Sequence, residues 1–132
     1  MTRTQLEKVY YLKKELEMWE REYSRLNSFQ MVRSPLLSDM PKGGNKKALD
    51  EYAAEVSDCL KKIEELKLAA FKSEKEIIEF IGGIDDTYIR QIIYLRCIKC
   101  MSWNKMALIL GYAPSDTVRM AYRRFLLREG IK

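Results

Sequence analysis

From Val9 onward the apolar residues fall on alternating steps of three and four: Val9, Leu12, Leu16, Trp19, Tyr23 and Leu26. That is an unbroken heptad seam, with charged residues such as Lys14, Glu15, Glu22 and Arg25 on the other faces. It predicts a first helix over residues 4–28. The pattern breaks across residues 29–45. Ser34-Pro35 and Asp39-Met40-Pro41 disfavour helix before each proline, and Gly43-Gly44-Asn45 adds turn chemistry. A loop is expected there, longer than a tight hairpin needs. It either displays Met40 and Lys42 to a partner or only sets the path of the chain. The seam resumes over residues 46–81 as Leu49, Tyr52, Val56, Cys59, Ile63, Leu66, Ala70, Ser73, Ile77 and Phe80, with Ser73 its only polar member. Leu60, Leu68, Phe71, Ile78 and Ile81 widen the apolar surface, so this end should meet more than one neighbour. Two matching seams joined by one loop predict an antiparallel helical hairpin, a coiled-coil arm over residues 1–81.

The remaining residues, 82–132, read as three shorter helices. Gly82-Gly83 is expected to cap the long helix, and Asp85 to be the N-cap of the next, with Asp86 favourable near its positive end. Ile89, Ile92, Ile93, Leu95 and Ile98 supply its apolar positions as far as about Cys100. Ser102 can cap a fourth helix, Trp103–Leu110. Pro114 and Ser115 open a fifth that runs to about Arg128, after which Glu129–Lys132 should fray. Ala107 is the small residue a close helix crossing needs. Gly111 tolerates the positive φ of a sharp turn. Met106 and Leu110 share Ala107's face, and Val118, Ala121, Tyr122 and Phe125 can close the core from the fifth helix. The expected fold class is all-α, with the hairpin followed by a three-helix helix-turn-helix domain.

Charge sharpens this picture. The formal net charge of +5 is unevenly placed. Residues 1–84 carry fifteen basic and fifteen acidic side chains, whereas residues 85–132 carry nine and four. A basic excess confined to one segment is an electrostatic footprint for a polyanion. The chain is 47% hydrophobic and 33% charged, which suits a folded helical protein. No run of 18 apolar residues predicts a membrane span, and the first residues lack the apolar centre of a signal peptide, so a cytoplasmic location is expected. The three cysteines, Cys59, Cys97 and Cys100, do not suggest a disulfide framework. Cys97 and Cys100 form a CxxC, but the chain has no His and no second pair, so no zinc site or other metal site is expected.

Leu95-Arg96-Cys97, Met101-Ser102-Trp103 and the AxxLGY of residues 107–112 resemble region 4 of sigma-70-type factors. The SDMPKGG of residues 38–44, between two helical arms, is similar to a signature of small phage and prophage proteins, the ArpU- or RinA-type late transcriptional regulators. The similarity extends over nearly the whole chain. It departs from the pattern in two places: one extra residue separates Gly111 from Val118, and Leu108 stands where a charged residue is usual. The resemblance implies a sigma region 4-like domain over residues 82–132 and a phage-type, DNA-binding transcription regulator.

Nothing in the sequence assembles a catalytic site. There is no His for a triad or general base and no phosphate-binding glycine loop, so neither enzymatic activity nor a cofactor is expected. Double-stranded DNA is the expected partner. Ser115, Asp116, Thr117, Arg119, Met120 and Arg123 are placed to read bases in the major groove. Asn104, Lys105 and Arg124 are assigned to phosphate. The uncovered apolar surface predicts a homo-oligomer, most simply a dimer, and host RNA polymerase is a further candidate partner. Two other readings compete: a small terminase subunit, which also joins a helix-turn-helix to oligomerising helices, and a helical adaptor for polymerase that never touches DNA.

Overall fold

The computed structural model describes the backbone of residues 1–37, 42–111 and 113–131, and the side chains of 1–28, 48–111 and 113–131. Among the described residues the fold is all-α: α1 (Arg3–Leu37), α2 (Lys42–Gly82), α3 (Thr87–Ile93) continuing as a π-helical turn (Tyr94–Ile98), α4 (Trp103–Ile109) and α5 (Ser115–Arg128).

The expected loop over residues 29–45 is largely helical. α1 runs on through Pro35 to Leu37, and α2 already includes Gly43 and Gly44. Pro35 lies close to the end of α1, so its missing N–H removes one bond of the final turns. Gly43 and Gly44 sit in the first turn of α2, where N–H groups have no intrahelical acceptor in any case. The centre of the SDMPKGG stretch, with Met40, lies outside the described residues, as does the side chain of Lys42.

The heptad pattern places a division after residue 81. Packing groups Met1–Leu12 with Ala69–Lys132 as one compact unit and Lys13–Leu68 as another, so each long helix is shared between the two. In the Lys13–Leu68 unit, Leu26, Cys59 and Ile63 are buried, with Leu16, Trp19, Tyr23, Tyr52 and Val56 packed against them. Tyr52 donates its hydroxyl to the Leu26 carbonyl at 2.7 Å, and the Cys59 thiol points to the Trp19 carbonyl at 3.3 Å. Partners descend along α1 as they ascend along α2, so these stretches run antiparallel, with the two seams facing each other.

The core of the other unit draws on every helix. Leu6 and Val9 of α1 and Ile77 of α2 are buried with Ile89, Ile92 and Ile93 of α3, Met106 and Ala107 of α4, and Val118, Phe125 and Leu126 of α5. Leu6 stands off the heptad seam, three residues before Val9, so the seam itself gives no sign of its burial. The rings of Phe80 and Phe125 lie 6.3 Å apart in a tilted arrangement. Burying a side chain the size of Leu or Ile contributes roughly 1.5–3 kcal/mol, so residues 1–12 are structural members of this unit.

Helix ends keep the expected glycine stops at Gly82 and Gly111 and differ from expectation elsewhere. α2 does end at Gly82, through tight bonds from Gly83 N to Phe80 O and from Ile84 N to Ile81 O. The left-handed residues lie elsewhere, at Cys100 (φ 54), Gly111 (φ 116) and Gly130 (φ 72). The N-cap of α3 is Asp86 rather than Asp85: its carboxylate accepts from Tyr88 N at 2.9 Å. After Ile93 the helix widens by one residue, with Lys99 N bonded to Tyr94 O. In an unbroken α-helix Ile98 would sit about 180° from Ile89; the widened turn rotates it back, and Cys97 and Ile98 are both buried. The tail does not fray as far as Ile131. Gly130 N bonds Leu127 O, Ile131 N bonds Leu126 O, and Ile131 is buried with Leu126. That is a Schellman closure with its accompanying apolar contact.

Candidate nucleic-acid interface

The expected DNA-reading residues sit on α5 and on the first turn of α4, and the core decides which way each points. α5 buries Val118, Tyr122, Phe125 and Leu126. At about 100° per residue, the direction opposite that face belongs to Met120 and Leu127. Arg119 and Arg123 flank this line on one side, with Asp116. Arg124 and Arg128 flank it on the other, with Thr117. Asp116, Thr117, Arg119, Met120, Arg123, Arg124 and Arg128 are all exposed, whereas Ser115 is half-buried. The residue before α5 is Pro114, with no side-chain cap, so Asp116 in the first turn is the only acidic complement to the helix dipole there.

Asp116 and Arg119 are drawn together: one guanidinium nitrogen lies 3.2 Å from Asp116 Oδ1. Both side chains are mostly solvent-exposed, so this pair is worth at most about 1 kcal/mol and yields readily to a stronger anion. Arg128 places its guanidinium carbon 5.8 Å from the centroid of the Phe125 ring. Asn104 and Lys105 are exposed on the first turn of α4. The Ser102 hydroxyl accepts from Lys105 N at 3.3 Å, the cap expected from sequence.

α4 packs against α5, and α3 packs against α5 as well. Ala107 is buried, and Gly111 carries the positive φ in the connecting turn; no neighbour lies within 4 Å of the place a Cβ would occupy there. Backbone conformation, not crowding, therefore requires glycine. Leu108 is exposed. Tyr112 lies outside the described residues.

Arg96 is spent inside the unit. It donates to the Met101 carbonyl at 2.8 Å and stacks 4.4 Å over the Trp103 ring, which in turn lies 5.4 Å from Tyr122. Behind α5, burial pushes the Cys97 thiol up to about 11 and the Tyr122 phenol well above its ordinary range. The sulfur is a neutral core group beside a hydroxyl, not an activated nucleophile.

By sequence count, the unit formed by Met1–Leu12 and Ala69–Lys132 holds thirteen Lys/Arg and eight Asp/Glu, and the Lys13–Leu68 unit eleven of each. The entire excess of positive charge thus belongs to the unit that contains α5. Arg3, Lys8, Lys72 and Lys75 enter that unit together with Glu7, Glu74, Glu76 and Glu79, so they leave its excess of five unchanged. Among the described residues no group of three or more His, Cys, Asp or Glu could hold a metal, and no helix is long and apolar enough to cross a membrane.

No family model, no curated protein and no solved structure matches this chain.

Proposed function

We propose that this protein is a DNA-binding transcription regulator of phage type, in which α4, the turn at Gly111 and α5 act as a helix-turn-helix. α5 is the recognition helix. The observation that carries the reading is the two-sidedness of α5: Val118, Tyr122, Phe125 and Leu126 anchor it, while Arg119, Arg123, Arg124 and Arg128 face outward in the unit that holds the whole net charge. Arg119 and Arg123 lie along one flank, one turn apart, where bidentate bonds to guanine O6 and N7 are within reach. Met120 is placed for the thymine methyl. Arg124, with Asn104 and Lys105 from α4, takes the phosphates on either side. Asp116 holds Arg119 until DNA displaces it, or accepts from cytosine N4. The protein has no catalytic role in this reading.

The test is affinity for duplex DNA across a salt series, followed by footprinting on the genome that encodes the protein. Tight, salt-dependent binding at discrete sites is expected. A ring-shaped oligomer bound to DNA would redirect the assignment to a small terminase subunit. Stable binding to RNA polymerase with no DNA affinity would redirect it to an adaptor.

A further inference from the structure

One face of α2 is left uncovered in a patterned way. Leu60, Leu68, Phe71 and Ile78 are 41%, 55%, 64% and 51% exposed, although all are large and apolar. With Glu64 and Lys75 they form a continuous stripe, about 130° around the helix from the seam Cys59–Ile63–Leu66–Ala70–Ser73–Ile77, which is buried. The stripe is about 27 Å long at 1.5 Å per residue.

Read in order, it runs apolar, acidic, apolar, apolar, basic, apolar. Read backwards, it has the same order of apolar residues with the two charges exchanged, at spacings that differ by one residue at the ends. Two copies laid antiparallel about an axis between Ala69 and Ala70 therefore set Leu68 against Phe71 and Glu64 against Lys75, each pair occurring twice, and bring Leu60 within one residue's rise, about 1.5 Å, of Ile78. Lys61 and Glu79, exposed on one flank of the stripe, come within one residue's rise of each other with opposite charge in this arrangement. A parallel pairing would instead place Glu64 on Glu64 and Lys75 on Lys75, and like charges repel. We infer that a second copy of this chain docks on this face, in a two-fold, antiparallel α2–α2 contact. Such an interface is isologous and closes at two subunits.

The inference needs no DNA, so its outcome is separate from that of the proposed function. The full-length chain is measured by sedimentation or light scattering at tens of micromolar without nucleic acid. A dimer is expected. Phe71→Glu, at an exposed position, should give a monomer with unchanged helical circular dichroism. Glu64→Lys or Lys75→Glu alone should weaken the dimer roughly tenfold by replacing two attractions with repulsions, and the double exchange should restore it to within about threefold. A monomeric wild type overturns the inference, as does a dimer indifferent to Phe71→Glu. Single reversals that weaken the dimer without rescue by the double exchange overturn the antiparallel register and with it the inferred interface.

Discussion

The hydroxyl of Tyr122 lies 3.7 Å from the sulfur of Cys97, both buried where α5 meets the π-helical turn. Neither group ionises near neutral pH, and burial, the largest cause for both, holds each one protonated to higher pH than in an open chain. A polar contact inside a largely apolar core thus sets a chemical limit on where this fold is stable.

The direction of that limit follows from linkage. The folded-state value of Cys97 is raised to about 11 from an ordinary 9.0, so between these values the unfolded chain releases a proton that the folded chain keeps. This contribution is complete below about pH 9 and is lost as pH rises toward 11; Tyr122 adds a loss of the same sign above its ordinary value of 10.0. Urea midpoints measured across the alkaline range should fall, with about 2–3 kcal/mol of the fall due to Cys97. Cys97→Ala, less stable at neutral pH, should have a shallower alkaline slope. Parallel slopes for the two proteins would refute the assignment.

Gly111 has φ 116 with open space around it. Gly111→Ala should cost about 1–2 kcal/mol through backbone strain alone. A urea titration showing no loss would mean the turn relaxes to an ordinary conformation.

Leu6 is 1% exposed in the same core as Ile77 and Phe125, whereas Tyr11 on the same helix is 65% exposed. Leu6→Ala should cost about 2–5 kcal/mol, and Tyr11→Ala should stay within about 0.5 kcal/mol. A fragment beginning at Gly82 loses Leu6, Val9 and Ile77 together and should lack a cooperative thermal transition. A sharp transition in that fragment would show that residues 1–12 are dispensable to the core.

On the proposed DNA site, Arg119→Ala or Arg123→Ala should cost about 1–3 kcal/mol on the cognate duplex and relax specificity. Lys105→Ala or Arg124→Ala should weaken all duplexes alike and lower the salt slope by about one unit. Arg123 and Arg124 lie on opposite flanks of Met120, so if the helix docks in the other rotation their two behaviours exchange. Four variants indistinguishable from wild type on every duplex would remove α5 from DNA recognition.

Local chemistry was legible wherever one residue's own preference decides the outcome. Gly111 lies at a positive φ, Ser102 caps α4, and Val118, Tyr122 and Phe125 face inward, because turn conformation, cap hydrogen bonds and helical period act over a few residues. Other local signals were overruled. Pro35 and Gly43-Gly44 looked like a loop yet lie in helices, since each is a penalty of a few kcal/mol at most near a helix end. Cys100 holds a left-handed conformation that glycine would adopt more easily, because the widened turn before it must close there.

The heptad seams and the segregation of charge were determined by the sequence itself: periodicity selects helix, and formal charge needs no coordinates. Only the tertiary structure decided that the chain's first twelve residues belong with its last sixty-four, that Ile98 turns inward, and that Arg96 is used up on Trp103 while Arg119, Arg123 and Arg124 remain outside. The physical reason is range. A helix's period repeats every few residues, but which helix covers which face depends on contacts between residues far apart in the chain, and those are chosen by the collective burial of one core.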